Sequence, residues 1–158
     1  MQLYMSPQQL FKSPVFWSGL IGWFLAQFTK LLCDLSKKQA KLNLTCLVRS
    51  GGMPSAHTAL TCALATSIGL TEGFSSSIFV LSLTVAILAM FDAATVRQAT
   101  GQQARLINEI IDLLVTDGRF SNRKLVELLG HTRIEIFMGM VMGALVAIIV
   151  TSYFKLLE

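Results

Sequence analysis

The apolar positions of the chain gather in four long stretches separated by polar intervals. Pro14 to about Cys33 (PVFWSGLIGWFLAQFTKLLC) is long enough as a helix to cross a hydrocarbon core of about 30 Å, and Trp17 and Trp23 suit its interfaces. A second stretch, from Pro54 to about Leu70, carries Ala59, Ala63, Ala65, Ser67 and Gly69, small residues that let a neighbouring helix backbone come close. The turn Thr71-Glu72-Gly73 leads into a third, Phe74 to about Phe91, so that the two form a helical hairpin. The fourth runs from His131 to about Phe154 and holds Gly139 and Gly143 at the small-xxx-small spacing. Between the third and fourth the period changes. Over Gln102 to Val115, residues Leu106, Ile107, Ile110, Ile111, Leu113 and Leu114 approximate one helical face, opposed by Arg105, Asn108, Glu109 and Asp112. This predicts an amphipathic helix lying on the membrane or against the bundle. Arg123 to Leu129 reads as a further short helix ended by Gly130, and residues 1–13 as a polar lead at the membrane surface. The expected fold is all-α: a polytopic membrane helix bundle in a single domain, 1–158, with about four transmembrane helices and an amphipathic helix between the third and fourth.

Composition agrees. Hydrophobic residues make up 53% of the chain and the mean hydropathy is +0.62, far above a soluble domain, which places it among integral membrane proteins of a bacterial inner membrane or an organelle. A net charge of +4 raises the question of nucleic acid, but the 13 basic residues are scattered between apolar runs and form no tract with interleaved aromatics. No nucleic-acid partner is expected. Topology accounts for the charges better: with four spans, ten basic residues fall on one side with Lys30 at the membrane edge, against only Lys12 and Lys155 on the other. The positive-inside rule makes the basic side cytoplasmic and both termini extracytoplasmic. Cys33, Cys46 and Cys62 are odd in number and lack Cys-x-x-Cys spacing, so neither a disulfide framework nor a zinc site is indicated. No cleavable signal is expected, because the first apolar run is long and ends without a small-residue cleavage site.

Three polar blocks carry candidate chemistry. In Arg49-Ser-Gly-Gly-Met-Pro-Ser-Ala-His-Thr58, Gly51 and Gly52 permit a tight turn and close approach to a ligand, and Pro54 suits a first helical position. Ser55 and His57 in the first turn, with Arg49 nearby, compose an anion pocket of the kind that takes phosphate; a glycine turn capping a membrane helix, with a satisfied histidine, is the other reading. Asp92 and Arg97 close an apolar helix where charge is costly, which demands an interior position or emergence into water. His131 and Glu135, four apart at the start of the last span, fit an imidazole whose tautomer a carboxylate fixes, or simply a polar pair at a helix end. Lys30 either snorkels to the headgroups or points into a polar pocket.

Together these blocks resemble the divergent membrane branch of the type 2 phosphatidic acid phosphatase superfamily, which is related to acid phosphatases and vanadium-dependent haloperoxidases. The resemblance rests on Ser50-Gly-Gly-Met-Pro-Ser-Ala-His57, on Asp92-Ala-Ala-Thr-Val-Arg97 with Gly101-Gln-Gln-Ala104 and Asn108, and on Leu129-Gly-His131-Thr-x-x-Glu135 with Gly139, across roughly residues 14–154. The superfamily's three motifs, KxxxxxxRP, PSGH and SRxxxxxHxxxD, build one phosphate site. By this resemblance His131 is the nucleophile, Glu135 its orienting acid in place of aspartate, and His57 the proton donor to the leaving group. Ser55, Gly52 and Arg97 are implied phosphate ligands, with Lys30 or Arg49 standing for the first motif, of which the chain keeps little. Alanine replaces the glycine of the second motif, and no Ser-Arg pair stands at the proper distance before His131.

The expected function is therefore hydrolysis of a phosphate ester or pyrophosphate, most naturally of a membrane lipid, without metal or cofactor. The alternative is a phosphate- or lipid-binding, transport-related protein with weak or no turnover. The small-residue helix faces also admit an oligomer.

Overall fold

The computed structural model describes residues 7–35, 52–116, 125 and 130–157. Among these the chain is wholly helical, without strands. A short turn of helix, α1 (Pro7–Leu10), precedes α2 (Pro14–Leu35), α3 (Ala56–Glu72), α4 (Ser77–Phe91), α5 (Arg97–Thr116) and α6 (Arg133–Leu157), and residues Asp92–Val96 form a π turn between α4 and α5. Three runs are long and apolar enough to cross a membrane: Pro14–Cys33, Ser77–Leu113 and Arg133–Leu157. The 17-residue α3 is the inner helix around which they assemble, touching α2, α4 and α6.

The small residues explain why α3 holds the centre. Built on Gly139, a Cβ would fall 2.6 Å from the Ser55 carbonyl oxygen; built on Gly143, it would collide with the Ala59 carbonyl. The glycines thus let α6 pack directly on the α3 backbone at two successive turns. Further along, Ser67 and Thr151 share a buried hydrogen bond of 3.0 Å, and the Lys155 ammonium donates to the Leu70 carbonyl at 3.3 Å. The pairs 55/139, 59/143 and 67/151 advance together at a constant separation of 84 residues, so α3 and α6 run parallel. Next to α6, which it also touches, α2 packs on α3: Gly22 meets Ala59 and Ala63 while Gly19 meets Leu60 and Leu64, an antiparallel register for α2. Ala86 of α4 packs with Cys62 and Ala65, backed by Met90 and Met140. Gly19, Gly22, Gly139 and Gly143 are therefore used in packing within the chain.

Several boundaries differ from the sequence expectation. α3 begins at Ala56 with Ser55 as N-cap, so Pro54 stands before the helix and not at its first position. α4 starts at Ser77, three residues later than expected, because the Ser76 hydroxyl accepts the Phe79 N–H at 3.2 Å and Phe74 folds back over Gly69. The expected interruption after Phe91 does not occur. The helix continues through the π turn into α5, which begins at Arg97 and not near Gln102; the run from Ser77 to Thr116 measures on the order of 60 Å, about twice a hydrocarbon core. Of the two settings the sequence admits for α5, membrane or bundle, its apolar face takes the exposed one. Gly101, Ala104, Asn108 and Ile111 form the covered stripe, whereas Leu106, Ile110 and Leu113 are exposed, Leu113 at 72%. At Asn108 that stripe is bonded, not merely packed: its side chain accepts the Leu125 N–H at 2.8 Å and donates to the Leu125 carbonyl at 2.9 Å. The rest of the helix expected over 123–129, and most of the 34–53 connection, lie outside the described residues.

Candidate active site

α6 is capped by its own sequence. Thr132 is the N-cap, and the run Thr132-Arg-Ile-Glu135 closes a reciprocal capping box: the Glu135 N–H donates to the Thr132 hydroxyl at 3.3 Å, and the Thr132 N–H donates to Glu135 Oε2 at 2.9 Å. The same Oε2 lies 3.2 Å from His131 Nδ1. His131 thus stands just outside the helix, and its pairing with Glu135 comes from the cap rather than from the helical spacing inferred for it. Because the carboxylate accepts at Nδ1, the neutral imidazole carries its proton there and leaves a lone pair on Nε2. Both groups are sheltered, His131 being 7% exposed.

The π turn supplies the next part. Its widened ring is closed by the Arg97 N–H donating to the Asp92 carbonyl, five residues back, and this winding brings the two side chains together, with Arg97 Nε donating to Asp92 Oδ2 at 3.0 Å. Regular α-helical winding would turn residues five apart well away from each other. The turn also anchors the nucleophile candidate, since the His131 N–H donates to the Ala93 carbonyl at 3.2 Å. Beside it Gly130 lies against Gln98, where a Cβ would fall 2.6 Å from the backbone nitrogen. Here glycine is required by proximity.

α3 and α2 complete the enclosure. The Ser55 N–H donates to the Glu135 carbonyl at 3.1 Å, tying the start of α3 to the first turn of α6. Ser55 itself is fully buried, and its hydroxyl accepts from Thr58 Oγ1 at 3.0 Å. Ser55 thus joins two motifs through its backbone N–H, while its hydroxyl keeps a proton to donate. Gly52 has φ +98, a conformation open to glycine, and packs on Lys30, whose Cε would lie 2.9 Å from an added Cβ. Lys30 is 6% exposed, so it turns into the protein and does not snorkel. The charges of Arg97, Lys30 and Asp92, together with the His131 imidazole, all bear on His57. Lys30, Gly52, Ser55, His57, Arg97, His131 and Glu135 accordingly gather at one end of the bundle; Arg49 lies outside the described residues. Among the described residues no three His, Cys, Asp or Glu side chains group as metal ligands.

These are the blocks on which the sequence resemblance rests, and a comparison with known families agrees: the model of the divergent PAP2 family matches residues 11–146. The chain belongs to the divergent PAP2 family. It is also 37% identical over 151 residues to the uncharacterized membrane protein YuiD of Bacillus subtilis (strain 168), covering 87% of this chain and 93% of that relative. No solved structure matches. For a divergent PAP2 protein, the geometry explains how the site forms although Arg97 lies 34 residues before His131 in sequence: the π turn and the Gly130 contact bring the two segments together. Three contributors were not read from the sequence. Thr132 was visible as a T-x-x-E capping box; the Ala93 carbonyl and the Asp92 hold on Arg97 depend on a π turn that no residue pattern announces.

Proposed function

We propose that this protein hydrolyses a phosphate ester or pyrophosphate carried by a membrane lipid, at the end of the bundle where α2, α3, the π turn and α6 meet. The observation that carries the reading is the contact of His131 Nδ1 with Glu135 Oε2 at 3.2 Å, since it leaves Nε2 as a nucleophilic nitrogen at the end of the bundle that also holds Arg97, Lys30 and His57. In the reaction Nε2 attacks phosphorus, the bond from phosphorus to the leaving oxygen breaks, and His57 delivers a proton to that oxygen. Water then attacks the phosphohistidine, giving its proton back to His57 as the nitrogen–phosphorus bond breaks. Arg97 and Lys30 supply the positive charge that such a transfer needs as oxygen charge develops. Glu135 stabilises the imidazolium form and holds its orientation. The exposed apolar flanks of the bundle favour a substrate already resident in the bilayer, and the basic bias of the connections on this side favours a cytoplasmic site.

Purified protein tested against a panel of lipid phosphates and pyrophosphates should release phosphate, and acid-labile label should be trapped on His131. Tight binding of phosphate or vanadate with no release from any member would favour the alternative, a phosphate-binding membrane protein without turnover.

A further inference from the structure

We propose that Asp92 is a positioning residue of this site, holding the Arg97 guanidinium by its Nε so that the two terminal nitrogens form a fork for the phosphoryl oxygens. The proposal rests on the reading of the pocket as a phosphate site. A carboxylate is out of place there on charge alone: it lies close enough to act on His57 alongside Arg97 and Lys30, and an anionic ligand would be repelled by it. Its geometry resolves the contradiction. Among the described residues the contact runs from Nε to Oδ2 at 3.0 Å, and a guanidinium held at Nε still has its Nη donors for a bidentate acceptor. The π turn makes the arrangement specific, because the same five-residue ring that pairs Asp92 with Arg97 also presents the Ala93 carbonyl to the His131 N–H. One turn of backbone thereby sets the fork relative to the nucleophile. Both side chains are partly exposed, at 32% for Arg97 and 44% for Asp92, so the pair adds little to stability and its effect belongs to orientation.

The sign of the effect separates this role from plain electrostatics. If Asp92 only adds negative charge, its removal tightens anion binding; if it holds the fork, removal weakens it. Vanadate binding is measured by calorimetry on the purified full chain in detergent for wild type, Asp92→Ala, Asp92→Asn, Arg97→Ala and the Asp92→Ala/Arg97→Ala double variant. Asp92→Ala should weaken binding about tenfold, a coupling usual for contacting residues. Asp92→Asn keeps an acceptor for Nε and should stay within about threefold of wild type. In the Arg97→Ala background the Asp92 substitution should cost nothing further. Equal or tighter binding by Asp92→Ala overturns the proposal while leaving the phosphate site standing, and an undiminished loss in the Arg97→Ala background shows that Asp92 acts through the fold instead. A wild-type protein that binds no vanadate removes the phosphate reading itself, and this proposal with it.

Discussion

Each polar side chain at the site end of the bundle does more than one job, and this governs how it can be tested. Glu135 closes the α6 capping box and orients His131 with the same oxygen. Glutamine serves a capping box as well as glutamate does, so Glu135→Gln should leave α6 intact while removing the charge that steadies the imidazolium. Phosphate release should fall by about 10²–10⁴-fold with an unchanged melting temperature. His131→Ala should abolish release and keep vanadate binding largely intact, because the nucleophile contributes to the transition state and little to ground-state binding. Full release by that variant, at the wild-type rate, would transfer the nucleophile's role to another group. Gly130 has a single demand on it, the close approach to Gln98. Gly130→Ala should shift His131 relative to Arg97 and reduce turnover by about 10²-fold, as small misplacements of reacting groups do, with helicity by circular dichroism preserved.

Among the elements, the helix pair α3/α6 and the π turn matter most. α6 lies on the α3 backbone through Gly139 and Gly143, and the Ala59 carbonyl blocks any side chain at position 143. Gly143→Val should therefore cost about 1–3 kcal/mol through overpacking, read as a lowered midpoint in detergent denaturation, and should weaken the site indirectly by parting Ser55 from Glu135. The π turn can be removed without removing a helix. Deleting Ala94 lets α4 run into α5 with regular winding and leaves Asp92 and Arg97 four apart, a spacing at which they still pair, so the deletion tests the backbone of the turn that meets His131 and Gly130 and not the ion pair. Helix content should hold while vanadate binding collapses; retained binding would show that the π turn does not set the site. α5 stands apart from both. Its exposed Leu106, Ile110 and Leu113 lie opposite the stripe bonded to Leu125, which suits an apolar face turned to lipid and a protein-facing side made of small and polar residues.

At the scale of the whole molecule, the registers of α2, α3, α4 and α6 place the N-terminus of α2 and the C-terminus of α6 at the end of the bundle opposite the site. Reporter fusions after residue 158 should thus report the compartment across the membrane from the His57 end, which the charge bias predicts to be extracytoplasmic. A fusion behaving as cytoplasmic would reverse the orientation while leaving the fold untouched. Sequence alone determined the class of the molecule. Apolar runs of membrane length, small residues repeated at four-residue spacing and three polar blocks at the ends of those runs are local or periodic signals, and the bilayer permits few structures that satisfy the backbone within such runs. It also brought His131 and Glu135 together by their four-residue spacing, while the capping box that holds them, Thr132 to Glu135, is equally local. Tertiary structure alone decided which way Lys30 turns, that the Ser55 backbone joins α3 to α6, that a π turn pairs Arg97 with Asp92, and which face of α5 meets protein. These depend on how far one backbone can approach another and on one extra residue wound into a helix. Hydrophobic period carries no record of either, because it reports that a face must be covered and leaves open what covers it.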